Sequence, residues 1–169
     1  RIYSLSNSLN PINAPAERLL ERQVNGLFAG ATFSYKEFIT LDLAGRRDQS
    51  SALPKGNNVY YYPAVSGSFL FSKLMEESSW LSNGKVRLNY AEVGNDAPVQ
   101  SLTDVYDKPS PFGSATLFSL PGLKNNPDLK PERTRSIEAG LEMSFMNDRF
   151  GFDATVYKAN TVDQILPVS

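Results

Sequence analysis

Acidic side chains are the first candidates for chemistry, because the sequence contains no histidine and no cysteine. Glu138 and Glu142 lie in a stretch that alternates between apolar and polar or small residues up to Phe145. Four residues along a strand span roughly 13 Å, which exceeds the carboxylate separations of glycosidases. We therefore expect no catalytic residue, no metal site, no cofactor and no enzymatic activity in this chain.

A second pair of carboxylates arises across a turn. Asn147 and Asp148 tolerate positive φ, so we interpret them as a two-residue turn between two strands. This turn would place Glu142 directly opposite Asp153, and facing like charges are destabilising. The pair could hold a cation, bind substrate or share a proton. Alternatively, a basic residue neutralises it, either Arg87 or one outside this chain, which is the interpretation that we favour.

Alternation of period two extends over most of the chain and predicts strands. Residues 1–23 are expected to be a loop or lead-in segment, in which Ala14 to Arg22 is the one candidate helix and could equally lead into a strand. The rest, residues 24–169, is predicted to hold six strands: about 24–35, 39–47, 60–72, 85–93, 133–145 and 149–160.

These strands have two chemically opposite sides. One side is apolar, and the other carries charge. The residues expected to face lipid are Leu41, Leu43, Val65, Phe69, Leu88, Leu141 and Phe152. The charged residues expected to face a water-filled lumen are Asp42, Arg46, Lys85, Arg87, Glu138, Glu142 and Asp153.

The connections between the strands alternate in length. Shorter ones follow the first, third and fifth strands, and long ones at about 48–59 and 94–131 follow the second and fourth. Every long loop then falls at one end of the sheet, as in outer-membrane barrels. Aromatic residues such as Trp80 and Phe145 lie near the shorter turns, while Tyr61, Tyr90 and Tyr157 lie toward the long loops. Two such belts favour a transmembrane barrel over a β-sandwich.

Composition excludes few classes of protein. The net charge is -1 and basic residues are scattered, so we expect no nucleic-acid partner. No apolar run reaches the length of about 18 residues that predicts a transmembrane helix. A mean hydropathy of -0.32 is compatible with a barrel, whose apolar residues are hidden in alternation. Because the sequence starts at Arg1 and stops at Ser169 without an evident beginning or end, we expect a piece of a larger protein.

Three blocks of the sequence resemble a known family. They are Leu41 to Leu74, Trp80 to Asp96 and Asn126 to Leu166, which contain the runs "GRRDQSSALPKGN" and "NPDLKPE". In this order they resemble consecutive barrel segments of the SusC/RagA class of TonB-dependent outer-membrane transporters, characteristic of Bacteroidetes. Small departures from that pattern occur at Ala64, Asn89 and Ala91.

The resemblance implies an all-β, antiparallel transmembrane barrel of about 22 strands, of which this chain supplies about six consecutive ones. It also implies import of glycans or oligopeptides through a plugged barrel in the bacterial outer membrane. The expected partners are outer-membrane lipid, a SusD-type surface lipoprotein that closes the mouth, and TonB. The plug domain, through which TonB acts, is expected to be missing from this chain.

The loop at about 94–131 is the best candidate for contact with substrate. Tyr106, Phe112 and Phe118 could stack on sugar rings or peptide side chains, and Asp104 and Asp107 could accept hydrogen bonds from hydroxyls or amines. The alternative, which we favour, is that the aromatic residues only pack the loop against its neighbours. Two other functions stay open: a secreted β-sandwich that binds carbohydrate, and a non-transporting outer-membrane adhesin.

Overall fold

The computed structural model describes residue 17 and residues 19–75, 80–109 and 111–167. One antiparallel sheet contains six strands in chain order. The strands are β1 (Val24–Tyr35), β2 (Ile39–Ser50), β3 (Val59–Leu70), β4 (Leu81–Asn95), β5 (Glu132–Phe145) and β6 (Phe150–Val162). A 3-10 helix, Phe71–Leu74, follows β3. Within these ranges, no helix is long and apolar enough to cross a membrane.

The six predicted strands are present, with errors at their ends. β2 extends to Ser50, which pairs with Val24, so the following loop is 51–58 rather than 48–59. β4 begins at Leu81 rather than Lys85, because an irregular pairing near Leu81 and Asn83 interrupts the alternation there. The second long loop is therefore 96–131. The described residues of the candidate helix, 17 and 19–22, are not helical, and its other residues lie outside the described ranges.

Short connections lie at one end of the sheet. β1 and β2 are joined by residues 36–38, as predicted, with φ of 44° at Lys36 and 59° at Glu37. The Lys73 ammonium lies 2.6 Å from Glu37, and this hydrogen bond lowers the pKa of the Glu37 carboxyl. The predicted two-residue turn between β5 and β6 is wrong, because the connection is residues 146–149. Asn147 and Asp148 nevertheless have positive φ, 54° and 62°.

The strand register defines two faces of the sheet, because directly opposed residues of antiparallel strands lie on the same face. Pairs such as Leu43 with Val65 and Leu141 with Val86 place all seven residues expected to face lipid on one side, hereafter the apolar face. Pairs such as Glu142 with Lys85 place all seven charged residues on the other side, the polar face. What each face contacts stays a prediction.

The apolar face has no second protein layer over it in the described part of the chain. Leu88 is 60% exposed and Phe152 is 47% exposed. The small buried cluster of Leu53, Tyr60 and Ala97 lies where the long loops meet the sheet. A β-sandwich requires a second sheet against the first, and the described residues form a single sheet, so that alternative is wrong for them.

The sheet is open at both sides, since β1 and β6 each have one neighbour among the described strands. An exposed strand edge invites pairing with another strand, and closure into a barrel removes such edges. Pairing inside the sheet is also uneven. β4 pairs with β5 from Leu81 up to Asn95, but β3 pairs with β4 only over Ala64–Leu70 and Lys85–Ala91. Toward the long loops, β3 and β4 have no ladder pairing, although the Tyr62 ring lies beside Gly94 of β4.

Candidate functional site

Charged side chains on the polar face of β4, β5 and β6 form cross-strand ion pairs. Glu142 lies directly opposite Asp153, as predicted. Arg87 Nη2 donates hydrogen bonds to both Asp153 oxygens, at 2.7 and 3.0 Å, and to Thr155 Oγ1 at 3.1 Å. Lys85 Nζ lies 3.8 Å from a Glu142 oxygen. Each carboxylate therefore has its own cation: Arg87 pairs with Asp153, and Lys85, which was not expected in this role, pairs with Glu142.

Gly140 makes the path of Arg87 possible. Arg87, Gly140 and Thr155 form one row across β4, β5 and β6, so the arginine must cross β5 to reach β6. A Cβ atom at position 140 would lie 2.7 Å from Arg87 Nε. The alternation by itself marks Gly140 only as a small residue, although a glycine inside a strand is a signal of close approach.

Hydroxyl and amide groups complete the polar face. Asp42 accepts hydrogen bonds from Thr32 Oγ1 at 2.6 Å and from Ser66 Oγ at 3.2 Å, so it joins β1, β2 and β3. Asn89 Nδ2 donates to Glu138 at 3.4 Å. Glu138 and Glu142 therefore have separate partners, Asn89 and Lys85. In the described ranges, no cluster of three or more acidic, histidine or cysteine residues could hold a metal ion.

Removal of the Arg87 cation is expected to weaken this network. We expect Arg87→Gln to lower the free energy of unfolding by about 1 kcal/mol, because Asp153 would lose its charged partner, while the partial exposure of both side chains limits the loss. Denaturant unfolding of the intact receptor in lipid vesicles measures this change. The double variant Arg87→Gln with Asp153→Asn should recover most of the loss, and a lack of recovery would contradict an electrostatic cause.

A second polar group lies on the same face at the long-loop end. Arg46 Nε donates to the Asp48 carboxylate at 2.8 and 3.0 Å, and the Tyr62 hydroxyl donates to it at 3.2 Å. Asp48 is buried, whereas Arg46 remains largely accessible. The predicted lumen-facing Arg46 is thus fixed at the end of the sheet from which the long loops emerge.

The group that anchors the two long loops is not apparent from the sequence. Asp96, buried at the start of the loop 96–131, accepts a hydrogen bond from Ser50 Oγ and lies 3.3 Å from Arg22 Nη2. Asn57 Nδ2 donates to the Leu129 carbonyl at 3.3 Å. These partners are separated by 46 or more positions, so no local pattern could reveal them.

The loop 96–131 contains a small hairpin of its own. Asp107 and Ser119 exchange backbone hydrogen bonds of 3.0 and 2.9 Å, and Phe112 pairs with Ala115 nearer the tip. Asp104 Oδ1 accepts a hydrogen bond of 2.7 Å from the Asn125 amide, so this carboxylate braces the base of the hairpin. Asp107 itself remains exposed.

The aromatic residues of this hairpin do not pack it. Tyr106, Phe112 and Phe118 are 67%, 82% and 67% exposed. Within the described residues the three rings are therefore largely uncovered, and packing against neighbours outside this chain stays a prediction. Their accessibility leaves them free to bind something else, and their role in substrate binding stays a prediction.

Aromatic rings border the apolar face at the short-turn end. Trp80 stacks on Phe145 with ring centroids 5.7 Å apart, and Phe145 lies 6.3 Å from Phe152. At the long-loop end the register places Tyr61 and Tyr90 on the apolar face. The predicted member Tyr157 is misplaced, because it pairs with Glu138 and so lies on the polar face.

Sequence comparisons with known proteins agree on one family. The family of TonB-dependent receptor-like β-barrels matches residues 2–169. TonB-dependent receptor P26 of Formosa agariphila is 27% identical over 171 residues, covering 98% of this chain and 17% of that protein. TonB-dependent receptor P3 of the same organism is 22% identical over 159 residues, covering 90% of this chain and 16% of that protein.

Solved structures have the same fold. The RagAB peptide importer in its closed-closed state superimposes with a TM-score of 0.80 at 23% identity, covering 95% of this chain and 18% of that one. The structure of the RagAB peptide transporter gives a TM-score of 0.77 at 24% identity, covering 88% and 17%. This chain thus spans about a sixth of the length of its relatives. The chain belongs to the TonB-dependent receptor family and forms six strands of its β-barrel.

Proposed function

We propose that this chain forms part of the barrel wall and of the extracellular loops of an outer-membrane TonB-dependent nutrient importer. The observation that carries the proposal is the opposition of the two faces of one sheet. The apolar face is exposed and bordered by aromatic rings, and the polar face is joined by ion pairs such as Arg87 with Asp153. Lipid outside and water inside is the arrangement of such barrels.

In this proposal the substrate is captured at the long-loop end and passes along the polar face when the plug is remodelled. TonB acts on the plug, whereas the residues matched here belong to the barrel. A SusD-type lipoprotein covers the mouth, above the loops 51–58 and 96–131. The polar face suits passage of hydrated substrates, because it carries charged and hydrogen-bonding groups along its length. Lys85 and Arg87 are paired with Glu142 and Asp153, whereas Asp42 and Glu138 have neutral hydrogen-bond partners, so acidic groups are in slight excess among the described residues.

The substrate class in this proposal is oligopeptides or glycans. RagAB, which has the same fold, is described as a peptide importer, so oligopeptides are the first class to test. The exposed rings of the hairpin can contact apolar side chains and also sugar faces. The exposed Asp107 can accept hydrogen bonds from amines or hydroxyls.

Uptake by whole cells tests this function. The gene that encodes the complete receptor is deleted and then restored, and the accumulation of fluorescent oligopeptides and oligosaccharides is measured with and without a protonophore. We expect accumulation that depends on both the receptor and the energised inner membrane. An adhesin would give surface attachment insensitive to the protonophore, and that result would overturn the proposal.

The hairpin provides a sharper test of substrate capture. We expect simultaneous replacement of Tyr106, Phe112 and Phe118 by serine to reduce uptake at low substrate concentration about tenfold, because loss of stacking worth about 1.4 kcal/mol corresponds to that factor. Uptake at saturating substrate should change less. The measurement is the initial rate of uptake as a function of substrate concentration.

The matched control uses apolar residues of the same loop that lack rings. Leu117, Leu120 and Leu123 are also exposed, and their replacement by serine should leave uptake nearly unchanged. Copurification of the lipoprotein is measured in parallel. If the ring variant loses the lipoprotein, the aromatic residues belong to the contact with that partner, and their assignment to substrate is wrong.

A further inference from the structure

We propose that the apolar face of β1, β2 and β3 holds a phosphorylated membrane lipid, with one acyl chain in a groove of small residues and the phosphate at Arg47. The inference rests on the proposed function, in which the apolar face meets the membrane. It goes further, because it assigns a defined lipid to a defined place rather than a uniform contact with the bilayer.

The groove follows β2 along the apolar face. One part has a volume of about 440 Å³ and a second has about 330 Å³. Ala29, Gly45 and Pro63 line both parts, so the two are continuous. These side chains are short, whereas Leu27 and Tyr61 rise beside the groove at its long-loop end. Such a channel fits a flexible hydrocarbon chain better than it fits the bulky side chains of a protein partner.

Arg47 lies at the head of this groove, in one row with Leu27 and Tyr61. The other arginines near this end are already paired: Arg46 with Asp48, and both Arg133 and Arg135 with Glu92. Among the described residues, Arg47 has no ion pair or hydrogen bond from its guanidinium. It is half-buried and lines the groove, so its charge lies beside an apolar channel without a counter-ion from any residue that the structure describes.

A lipid phosphate supplies the missing charge. Guanidinium binds phosphate through two parallel hydrogen bonds, and the adjacent Tyr61 hydroxyl can donate a third. The anionic head of such a lipid matches the unpaired Arg47 cation. Its aliphatic chain matches the apolar groove that begins beside this cation. Arginine and tyrosine are also suited to this depth, because their stems are apolar and their ends are polar. The occupant is therefore a lipid, not free phosphate.

Native mass spectrometry of the intact receptor tests the head of the site. Phosphorylated lipid A, its dephosphorylated form and inorganic phosphate are added separately. We expect Arg47→Gln to weaken binding of the phosphorylated lipid about fivefold, the effect expected for one basic residue at a membrane surface. Arg149→Gln is the charge-matched control, because Arg149 is exposed at the short-turn end, and it should leave binding unchanged.

The groove itself is tested by filling it. A Cβ atom at Gly45 meets no atom within 4 Å, so a side chain can begin at this position and Gly45→Leu would extend into the groove. We expect this variant to weaken binding of both forms of lipid A. Gly67→Leu is the control, because Gly67 has equally open surroundings but lines a separate groove with Phe69 and Leu88.

The outcomes separate this inference from the proposed function. Equal binding of both lipid forms by the wild type, competition by inorganic phosphate alone, or no effect of Arg47→Gln and Gly45→Leu would overturn the lipid site. If substrate uptake were normal in that case, the proposed import function would still stand. Loss of uptake together with a water-exposed apolar face would instead overturn the proposed function.

Discussion

Replacement of Leu88 by arginine is expected to destabilise the inserted barrel by about 2–4 kcal/mol, the cost of a cation on the lipid face near the bilayer midplane. Leu88 lies at the middle of β4, is 60% exposed on the apolar face and has Gly67 and Ala139 as its cross-strand neighbours. No acidic partner lies beside it in those rows. The measurement is denaturant unfolding of the intact receptor in lipid vesicles.

The adjacent residue provides the matched control for this substitution. Asn89 lies on the polar face, where its neighbours Ser66 and Glu138 can accept hydrogen bonds from an arginine. We expect Asn89→Arg to change the free energy of unfolding by less than about 1 kcal/mol. Equal losses at the two positions would show that both faces have the same surroundings, which would contradict lipid on one side and water on the other.

The second large effect is expected at Gly140. Valine normally favours strands over glycine, but a Cβ atom here would lie 2.7 Å from Arg87 Nε and 3.0 Å from Nη2. The guanidinium would have to move and would release Asp153 and Thr155. We expect Gly140→Val to lower the free energy of unfolding by about 1–2 kcal/mol, because the guanidinium loses its partners, as in Arg87→Gln, and the new side chain must also be accommodated.

A double-mutant cycle identifies the cause of that loss. In the Arg87→Gln background the guanidinium is gone, so most of the cost of Gly140→Val should disappear. Gly67→Val controls for strand propensity, since a Cβ atom there meets nothing within 4 Å, and it should be neutral or stabilising. If Gly140→Val costs the same with and without Arg87, the crossing arginine is not the reason for the glycine.

Sequence alone predicted those features of the fold that depend on periodicity. β1 has the predicted bounds, and Glu142 opposes Asp153, because a side-chain period of two and a tight turn together determine the register. The start of β4 could not be predicted in this way, since the pairing shifts between Leu81 and Asn83 and the alternation is lost there.

The candidate site was predictable only where its partners lie on neighbouring strands. Arg87 was named as the counter-ion of the acidic pair because the alternation of β4 places it on the same face. Asp96 was not predicted, because its partners Ser50 and Arg22 come from distant parts of the chain. The exposure of Phe112 also depends on how the loop folds, which composition does not determine.

The limited pairing between β3 and β4 divides this part of the wall into two panels. β1 to β3 form the first panel and β4 to β6 form the second. Their backbones pair only over Ala64–Leu70 and Lys85–Ala91. Above this seam, a small rotation of one panel against the other breaks no ladder hydrogen bond. Side-chain contacts still bridge the panels there, because Ser50 Oγ donates to Asp96 and Asn57 Nδ2 donates to the Leu129 carbonyl. The long-loop end of this seam therefore depends on side chains, where the rest of the sheet depends on backbone pairing.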